Sequence, residues 1–162
     1  MTPAQLAKSG TEHAHQKALF AWAAMAGTYG FVAAWNETSY ASMENAIANR
    51  AGSPMVAEPR LHFMFAIANG GFRNKVTANK LKAEGVKSGV PDIMLPVAVG
   101  MWHGLFIELK KFKGRPTPQQ VGWLTQLNRQ GYRAHLCEGW EDAAKTIQRY
   151  IGGQDTNEST FL

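Results

Sequence analysis

Two apolar runs of strand length, separated by a glycine, constrain the fold of this chain more than any other feature of its sequence. Residues 93–99 and 102–110 are each long enough for a β-strand, and Gly100 lies between them. This spacing predicts two neighbouring strands joined as a hairpin. Because such strands need helices to cover their apolar faces, we expect them in a central mixed β-sheet flanked by helices, an α/β fold.

The other expected elements agree with this fold class. A helix is predicted over residues 12–26, capped by Ser9 or Thr11 and ended at Gly27. The remaining predicted elements, in chain order, are a strand at 61–68, a basic helix at 74–84, a helix from Thr117 to about Gln130, a strand at 133–137 and a helix at 140–151.

Size and composition indicate a single domain. The chain has 162 residues, of which 45% are hydrophobic, and that is enough for one sizeable core. We expect this domain at 1–151, a flexible tail at 152–162, and a possible insertion at 36–57, where no pattern is readable. The single cysteine, the lack of a signal-peptide pattern and the lack of any run near about 20 apolar residues predict a cytoplasmic protein with no membrane contact.

Basic residues outnumber acidic residues by 17 to 12, and the excess is concentrated in two segments that flank the apolar runs. A basic surface of this kind favours a polyanionic ligand such as DNA or RNA. A solvated face that serves only solubility is the alternative. The candidate nucleic-acid contacts in the two segments are Arg73, Lys75, Lys80, Lys82, Lys87, Lys111, Lys113 and Arg115.

Charged residues stand at the ends of both apolar runs. Asp92 precedes the first run, and Glu108 and Lys110 end the second. Side chains alternate along a strand, so Glu108 and Lys110 share a face, and strand pairing across Gly100 would bring Asp92 to the same edge of the sheet. Two carboxylates there can bind a hard cation such as Mg²⁺, with the lysine beside an attacking water. Alternatively, the three charges only pair with one another.

Two helical positions add candidates for the same site. Gln120 falls on the apolar stripe of its helix, so its inward-facing amide needs a partner such as an active-site water or a phosphate. Glu12 and Gln16 are four residues apart and share one helix face. The alternatives are a capped core glutamine for Gln120 and a solvated first turn for Glu12 and Gln16.

Several segments together resemble a known family over residues 58–151. The matching segments are NGGFR, LKAEGVKSGVPDIMLP, HGLFIELK, TPQQVGWL and GYRAHLC. They resemble the virus-type replication-repair nuclease (VRR-NUC) family, a branch of the PD-(D/E)xK nuclease superfamily. The resemblance implies a restriction-endonuclease-like core, with Asp92 and Glu108 as metal ligands and Lys110 as the catalytic lysine.

Further positions match the family pattern one by one. Glu12 corresponds to the family's helix-borne acid, and Gln120 corresponds to its active-site glutamine. Asn69 lies in the asparagine–glycine turn of the pattern, and Arg73 follows that turn. Ala68 is a departure, because many members have proline before the turn.

The resemblance also implies an activity. It indicates an endonuclease that depends on Mg²⁺ or Mn²⁺ and hydrolyses phosphodiester bonds in branched or junction DNA. The natural extension is a homodimer that serves viral replication or repair inside a host cell. Two other classes remain open on the sequence: a non-catalytic nucleic-acid-binding module that keeps the fold, and a restriction-type endonuclease that reads a DNA sequence.

Overall fold

The computed structural model of the protein describes residues 1–36, 56–68 and 80–154, and within them four strands form one sheet in the order β1-β2-β3-β4. The strands are β1 (Phe65–Ala66), β2 (Ile93–Leu95), β3 (Leu105–Lys110) and β4 (Arg133–Glu138). The β1–β2 and β2–β3 pairs are antiparallel, and the β3–β4 pair is parallel. The predicted mixed sheet is therefore confirmed.

Helices flank this sheet, as the sequence pattern predicted. In chain order they are α1 (Pro3–Ala7), α2 (Glu12–Tyr29), α3 (Phe31–Trp35), a 3-10 helix (Pro59–Phe63), α4 (Pro118–Arg129) and α5 (Gly139–Ile151). Residues 80–83 are also helical and precede Gly85, whose φ is +94°. They are the described end of the predicted basic helix at 74–84. The expected insertion at 36–57 and tail at 152–162 lie largely outside the described residues.

The predicted hairpin is present, but both strands are shorter than expected. β2 ends at Leu95 because Pro96, which follows it, has no N–H to donate to the ladder. β3 begins only at Leu105. Between the strands, a bridge pairs Val99 with Trp102 around Gly100, whose φ is +57°.

The predicted end of the first long helix was wrong. Thr11, and not Ser9, caps α2 through a side-chain oxygen that accepts from the N–H of Ala14 at 3.2 Å. The helix continues through Gly27 and ends at Gly30, whose φ is +90°. Gly27 serves packing, since a β carbon there would lie 3.2 Å from the ring of His62.

The predicted strand at 61–68 was also wrong in its length and start. The chain forms a 3-10 helix over Pro59–Phe63, and only Phe65–Ala66 pair as a strand. Leu61 and Met64 are the buried residues of this stretch, with 4% and 8% of their surface exposed. Their spacing of three residues is the repeat of a 3-10 helix and not the alternation of a strand.

The core lies between one face of the sheet and the helices α2 and α5. The odd-numbered residues of β3 belong to this core together with side chains of both helices. The opposite face of β3 carries Glu108 and Lys110, and α4 contributes Gln120 to that face. The sheet thus separates an apolar layer from a polar pocket. Among the described helices, none combines the length and the hydropathy that crossing a bilayer requires.

Candidate active site

The register of the β2–β3 hairpin brings the two acidic candidates together. Ile93 lies opposite Ile107, so continuing the register by one residue brings Asp92 opposite Glu108. Residues directly opposite in an antiparallel pair point to the same face, with β carbons about 4.5–5.5 Å apart. The two carboxyl groups are within hydrogen-bonding reach of each other. They can therefore share a proton or a cation.

Glu108 is fully buried, yet only one of its oxygens receives donors. Its Oε1 accepts from the Lys110 ammonium at 2.7 Å and from the Gln120 amide. Its Oε2 is buried and receives no N–H or O–H donor. Contact with Asp92 cannot satisfy this oxygen when both carboxyls are ionised, because neither then carries a proton. A buried carboxylate oxygen without a donor is unfavourable unless something else binds there.

The electrostatics of both carboxyls reflect this conflict. Burial raises the pKa of Glu108 to about 7, and the nearby Asp92 carboxylate adds to the rise while Lys110 opposes it. Burial likewise raises the pKa of Asp92, against the lowering effects of a hydrogen bond from the Leu109 N–H and the charge of Lys110. That hydrogen bond, 2.9 Å from Leu109 N to Asp92 Oδ2, fixes the Asp92 side chain beside β3.

Lys110 is the cation of the site and is nearly buried. Burial alone lowers its pKa, but the hydrogen bond with Glu108 and the charges of Glu108, Glu12 and Asp92 outweigh burial, so the pKa is raised. Lys110 is therefore protonated at neutral pH. An ammonium in this position can stabilise negative charge, whereas a general base would need a lowered pKa.

Glu12 approaches the site from the first turn of α2. Its carboxylate lies 3.8 Å from the Lys110 ammonium, and half of its side-chain surface is exposed. Glu12 is thus solvated and also paired with Lys110, and its catalytic role stays a prediction. Gln16, one turn further along, is half-buried.

Gln120 combines the two interpretations that the sequence left open. Its side-chain amide oxygen accepts from the Thr117 N–H at 2.8 Å, and the backbone N–H of Gln120 donates to the Thr117 hydroxyl, which completes a capping box. Because the cap engages the amide oxygen, the amide nitrogen is directed to Glu108. The sequence identified Thr117 as a cap but missed its role in orienting Gln120, although the T-P-x-Q pattern carried that signal.

The donor set suits a hard cation, although it is incomplete by itself. Within residues 1–36, 56–68 and 80–154, no group of three or more His, Cys, Asp or Glu side chains could hold a metal ion. Asp92 and Glu108 supply two carboxylates, with an unsatisfied buried oxygen and raised pKa values between them. Mg²⁺ typically takes one or two protein carboxylates and completes its shell with water and phosphate oxygens. The residues therefore fit such an ion.

The described basic residues of both segments are exposed. Lys111, Lys113 and Arg115 are exposed and follow Lys110 directly, before the helix that carries Gln120. The exposed lysines of the other segment are Lys80, Lys82 and Lys87. The predicted contacts that lie outside the described residues are Asn69, Arg73 and Lys75.

The loop with Lys87 is attached to the helix that carries Gln120. The Trp123 indole donates to the Ser88 carbonyl at 3.1 Å. A β carbon on Gly89, whose φ is +81°, would lie 2.9 Å from the Gln119 side chain. These two contacts attach the residues that directly follow Lys87 to α4. No sequence signal pointed to the contact between Ser88 and Trp123.

Comparison with known proteins agrees with this geometry. A model of the VRR-NUC domain matches residues 36–141, which is more than half of the chain. The chain belongs to the VRR-NUC family. The matched region contains four of the five catalytic candidates, and Glu12 lies outside it.

One solved structure supports the fold of this VRR-NUC domain. It is described as a VRR_NUC domain protein, is 27% identical in sequence, and superposes with a TM-score of 0.52. The match covers 71% of this chain and 89% of that chain. A comparison with curated proteins found no match. The central sheet and its flanking helices are thus a VRR-NUC fold, consistent with a PD-(D/E)xK-like core, in a nuclease-type family.

Proposed function

We propose that this VRR-NUC domain is a metal-dependent DNA endonuclease that hydrolyses phosphodiester bonds. The observation that carries the proposal is the pocket in which Asp92, Glu108 and Lys110 converge while one buried oxygen of Glu108 lacks a donor. Two carboxylates with a free ligand position and an adjacent ammonium are groups that metal-dependent phosphodiester hydrolysis can use. A pocket built only for stability would not leave that oxygen without a donor whenever both carboxyls are ionised.

In this proposal Asp92 and Glu108 hold Mg²⁺ or Mn²⁺. Such an ion supplies the positive charge that lowers the pKa of a water molecule and neutralises a phosphate. The Lys110 ammonium stabilises negative charge that develops on the phosphate oxygens. Gln120 binds Glu108 Oε1 and so holds the carboxylate with its other oxygen available. Glu12 balances the charge of Lys110 from the solvent side and helps to position water.

The substrate side of the proposal is DNA held by its backbone. Lysine and arginine side chains bind phosphates, which sets affinity and orientation but not sequence preference. Such an enzyme would recognise DNA structure, and the family resemblance points to branched or junction DNA, a homodimer, and action inside the cell. The residues assigned to the backbone are Asn69, Arg73, Lys75, Lys80, Lys82, Lys87, Lys111, Lys113 and Arg115.

A cleavage assay tests the proposal. Purified protein is incubated with end-labelled four-way junction, flap and linear duplex DNA in Mg²⁺, in Mn²⁺ and in EDTA, and its mass in solution is measured by light scattering. We expect metal-dependent cutting of the branched substrates. We expect Glu108→Gln to reduce the rate by about 100-fold or more, with DNA binding in EDTA retained.

The matched control is Glu141→Gln, the same chemical change at an exposed position in the first turn of α5. It should cut like the wild type. If the wild type cuts no substrate with any divalent metal, the protein is a binding module and the proposal fails. If it cuts linear duplex at one defined sequence, it is a restriction-type enzyme and the structure-specific part fails.

A further inference from the structure

A tight turn follows the lysine of the site and presents an aromatic ring to solvent. The Gly114 N–H donates to the Lys111 carbonyl at 2.8 Å, which closes a turn with Phe112 and Lys113 at its two central positions. The Phe112 side chain is 73% exposed. The chain has thus placed a large apolar ring outside the core and two residues after Lys110.

The backbone of the turn that carries this ring is well defined by local contacts. Lys113 has a φ of +59°, which is unfavourable for a residue with a β carbon, and among the described non-glycine residues it is alone in this conformation. A β carbon on Gly114 would lie 2.9 Å from the Lys111 carbonyl and 3.2 Å from the Lys110 β carbon. The turn therefore packs directly on Lys110, and Phe112 is a residue of that turn.

An exposed apolar side chain by itself needs no explanation, but the surroundings of Phe112 are unusual. Lys111, Lys113 and Arg115 flank the ring, and no Asp or Glu occurs between Glu108 and Glu138. The Lys113 ammonium lies 5.4 Å from the centre of the ring, within range of a cation–π interaction. The ring is thus part of a cationic surface next to the site.

A ring among cations has a specific use on nucleic acid. Proteins that bind single strands combine a basic groove for the backbone with aromatic side chains on which bases stack. In continuous duplex every base already stacks on its neighbours, so the ring would find no partner there. A nucleotide left unpaired at a branch, flap or gap offers a free face.

We propose that Phe112 stacks on an unpaired base next to the scissile phosphate and thereby selects DNA with unpaired nucleotides over continuous duplex. This inference depends on the DNA-binding part of the proposed function. The other occupant to consider is an apolar patch of a second protein copy. That occupant fits less well, because docking there would desolvate Lys111 and Lys113, and lysine is depleted at protein interfaces relative to the rest of the surface.

Binding measurements in EDTA test the proposal without any cleavage. The two probes are a flap DNA with 2-aminopurine at its unpaired branch nucleotide and a continuous duplex with the same base paired. We expect Phe112→Ala to weaken flap binding by about 5- to 150-fold and to leave duplex binding unchanged. The fluorescence change of 2-aminopurine on binding should disappear. Phe112→Trp should keep both the wild-type affinity for flap DNA and the fluorescence change. Phe112→Leu should lose both, because leucine is apolar but cannot stack on a base.

Two further variants separate stacking from other causes. Met101 is another exposed apolar residue, 61% exposed, and it lies at the opposite end of the β2–β3 hairpin. The Met101→Ala variant should bind both DNAs with wild-type affinity. Lys111→Gln removes a charge of the same turn and should weaken binding to both DNAs equally. The slope of log affinity against log salt concentration should become smaller by about one unit.

The proposal is overturned if Phe112→Ala weakens binding to both DNAs equally, or if Phe112→Leu binds flap DNA as tightly as the wild type does. It is also overturned if Phe112→Ala changes the oligomeric state measured by light scattering. In that last case the ring is a contact between copies. A wild-type protein that binds neither DNA would instead refute the DNA-binding part of the proposed function, whatever the variants do. A wild-type protein that prefers flap DNA to duplex but does not cut it would refute the cleavage part of the proposed function and would leave the stacking role intact.

Discussion

Removing the charge of Glu108 should stabilise the metal-free protein, although the residue is central to the proposed site. Its pKa is raised from 4.5 to about 7 in the folded state, because the carboxylate is buried beside Asp92. Between these two values the folded state binds more protons than the unfolded state, so stability falls as pH rises through this window. Glutamine has the same shape as glutamate but no charge, so Glu108→Gln should not lose stability as the pH rises through this window.

The size of the effect follows from the shift. One pKa unit corresponds to about 1.4 kcal/mol, so ionised Glu108 lowers the free energy of unfolding by roughly 3 kcal/mol above pH 7. For a chain of this size that corresponds to a rise of roughly 6–12 °C in the melting temperature of Glu108→Gln. The difference between variant and wild type should shrink towards zero as the pH falls to the unfolded-state pKa.

The assay is thermal or urea unfolding of wild type, Glu108→Gln and Glu141→Gln across this pH range, in EDTA and in excess Mg²⁺. The exposed control should follow the wild type. Mg²⁺ should stabilise the wild type at high pH and should stabilise Glu108→Gln much less, since ligand binding to the folded state raises its stability. A Glu108→Gln protein that is no more stable than wild type in EDTA above pH 7 would refute the claim that this carboxylate is an unsatisfied buried charge.

Two further predictions concern the same pocket. Gln120→Ala removes both the capping box and the amide that binds Glu108. We therefore expect the free energy of unfolding to fall by about 1 kcal/mol and the pH profile of cleavage to move to higher pH. An unchanged pH profile would show that the amide does not support the ionised carboxylate. At limiting Mg²⁺ the initial cleavage rate of the wild type should rise about tenfold per pH unit below pH 7 and level off above it, because a proton competes at Glu108. A higher Mg²⁺ concentration should lower the pH at which the cleavage rate levels off. A cleavage rate that does not change with pH would contradict this prediction.

The parts of the fold that could be predicted are those in which local signals and tertiary packing agree. The helix after Thr117 starts at its T-P cap and ends before Gly131, where φ is +82°. By contrast, Gly27 signals a helix end by propensity, yet the helix continues because His62 packs against that glycine. The apolar run at 61–68 was ambiguous in the same way, since its burial pattern depends on contacts that are distant in the sequence.

The candidate site was predictable in membership but not in electrostatics. Strand alternation and hairpin pairing are enough to bring Asp92, Glu108 and Lys110 to one face. The sequence could not indicate that Glu108 Oε2 would lack a donor, or that the pKa of Lys110 would rise despite burial. Both properties depend on which oxygens the neighbouring side chains reach, and that is decided only by three-dimensional packing.

The register that forms this site is selected by the opposite face of the sheet. A slip of one residue between β2 and β3 would turn Glu108 and Lys110 into the apolar layer, because successive side chains alternate between faces. The present register buries five apolar side chains of the two strands: Ile93, Leu95, Leu105, Ile107 and Leu109. At about 2 kcal/mol each, their burial contributes on the order of 10 kcal/mol. That exceeds the roughly 3 kcal/mol by which ionised Glu108 opposes folding. The hydrophobic face can therefore hold two carboxylates opposite each other even without a cation between them.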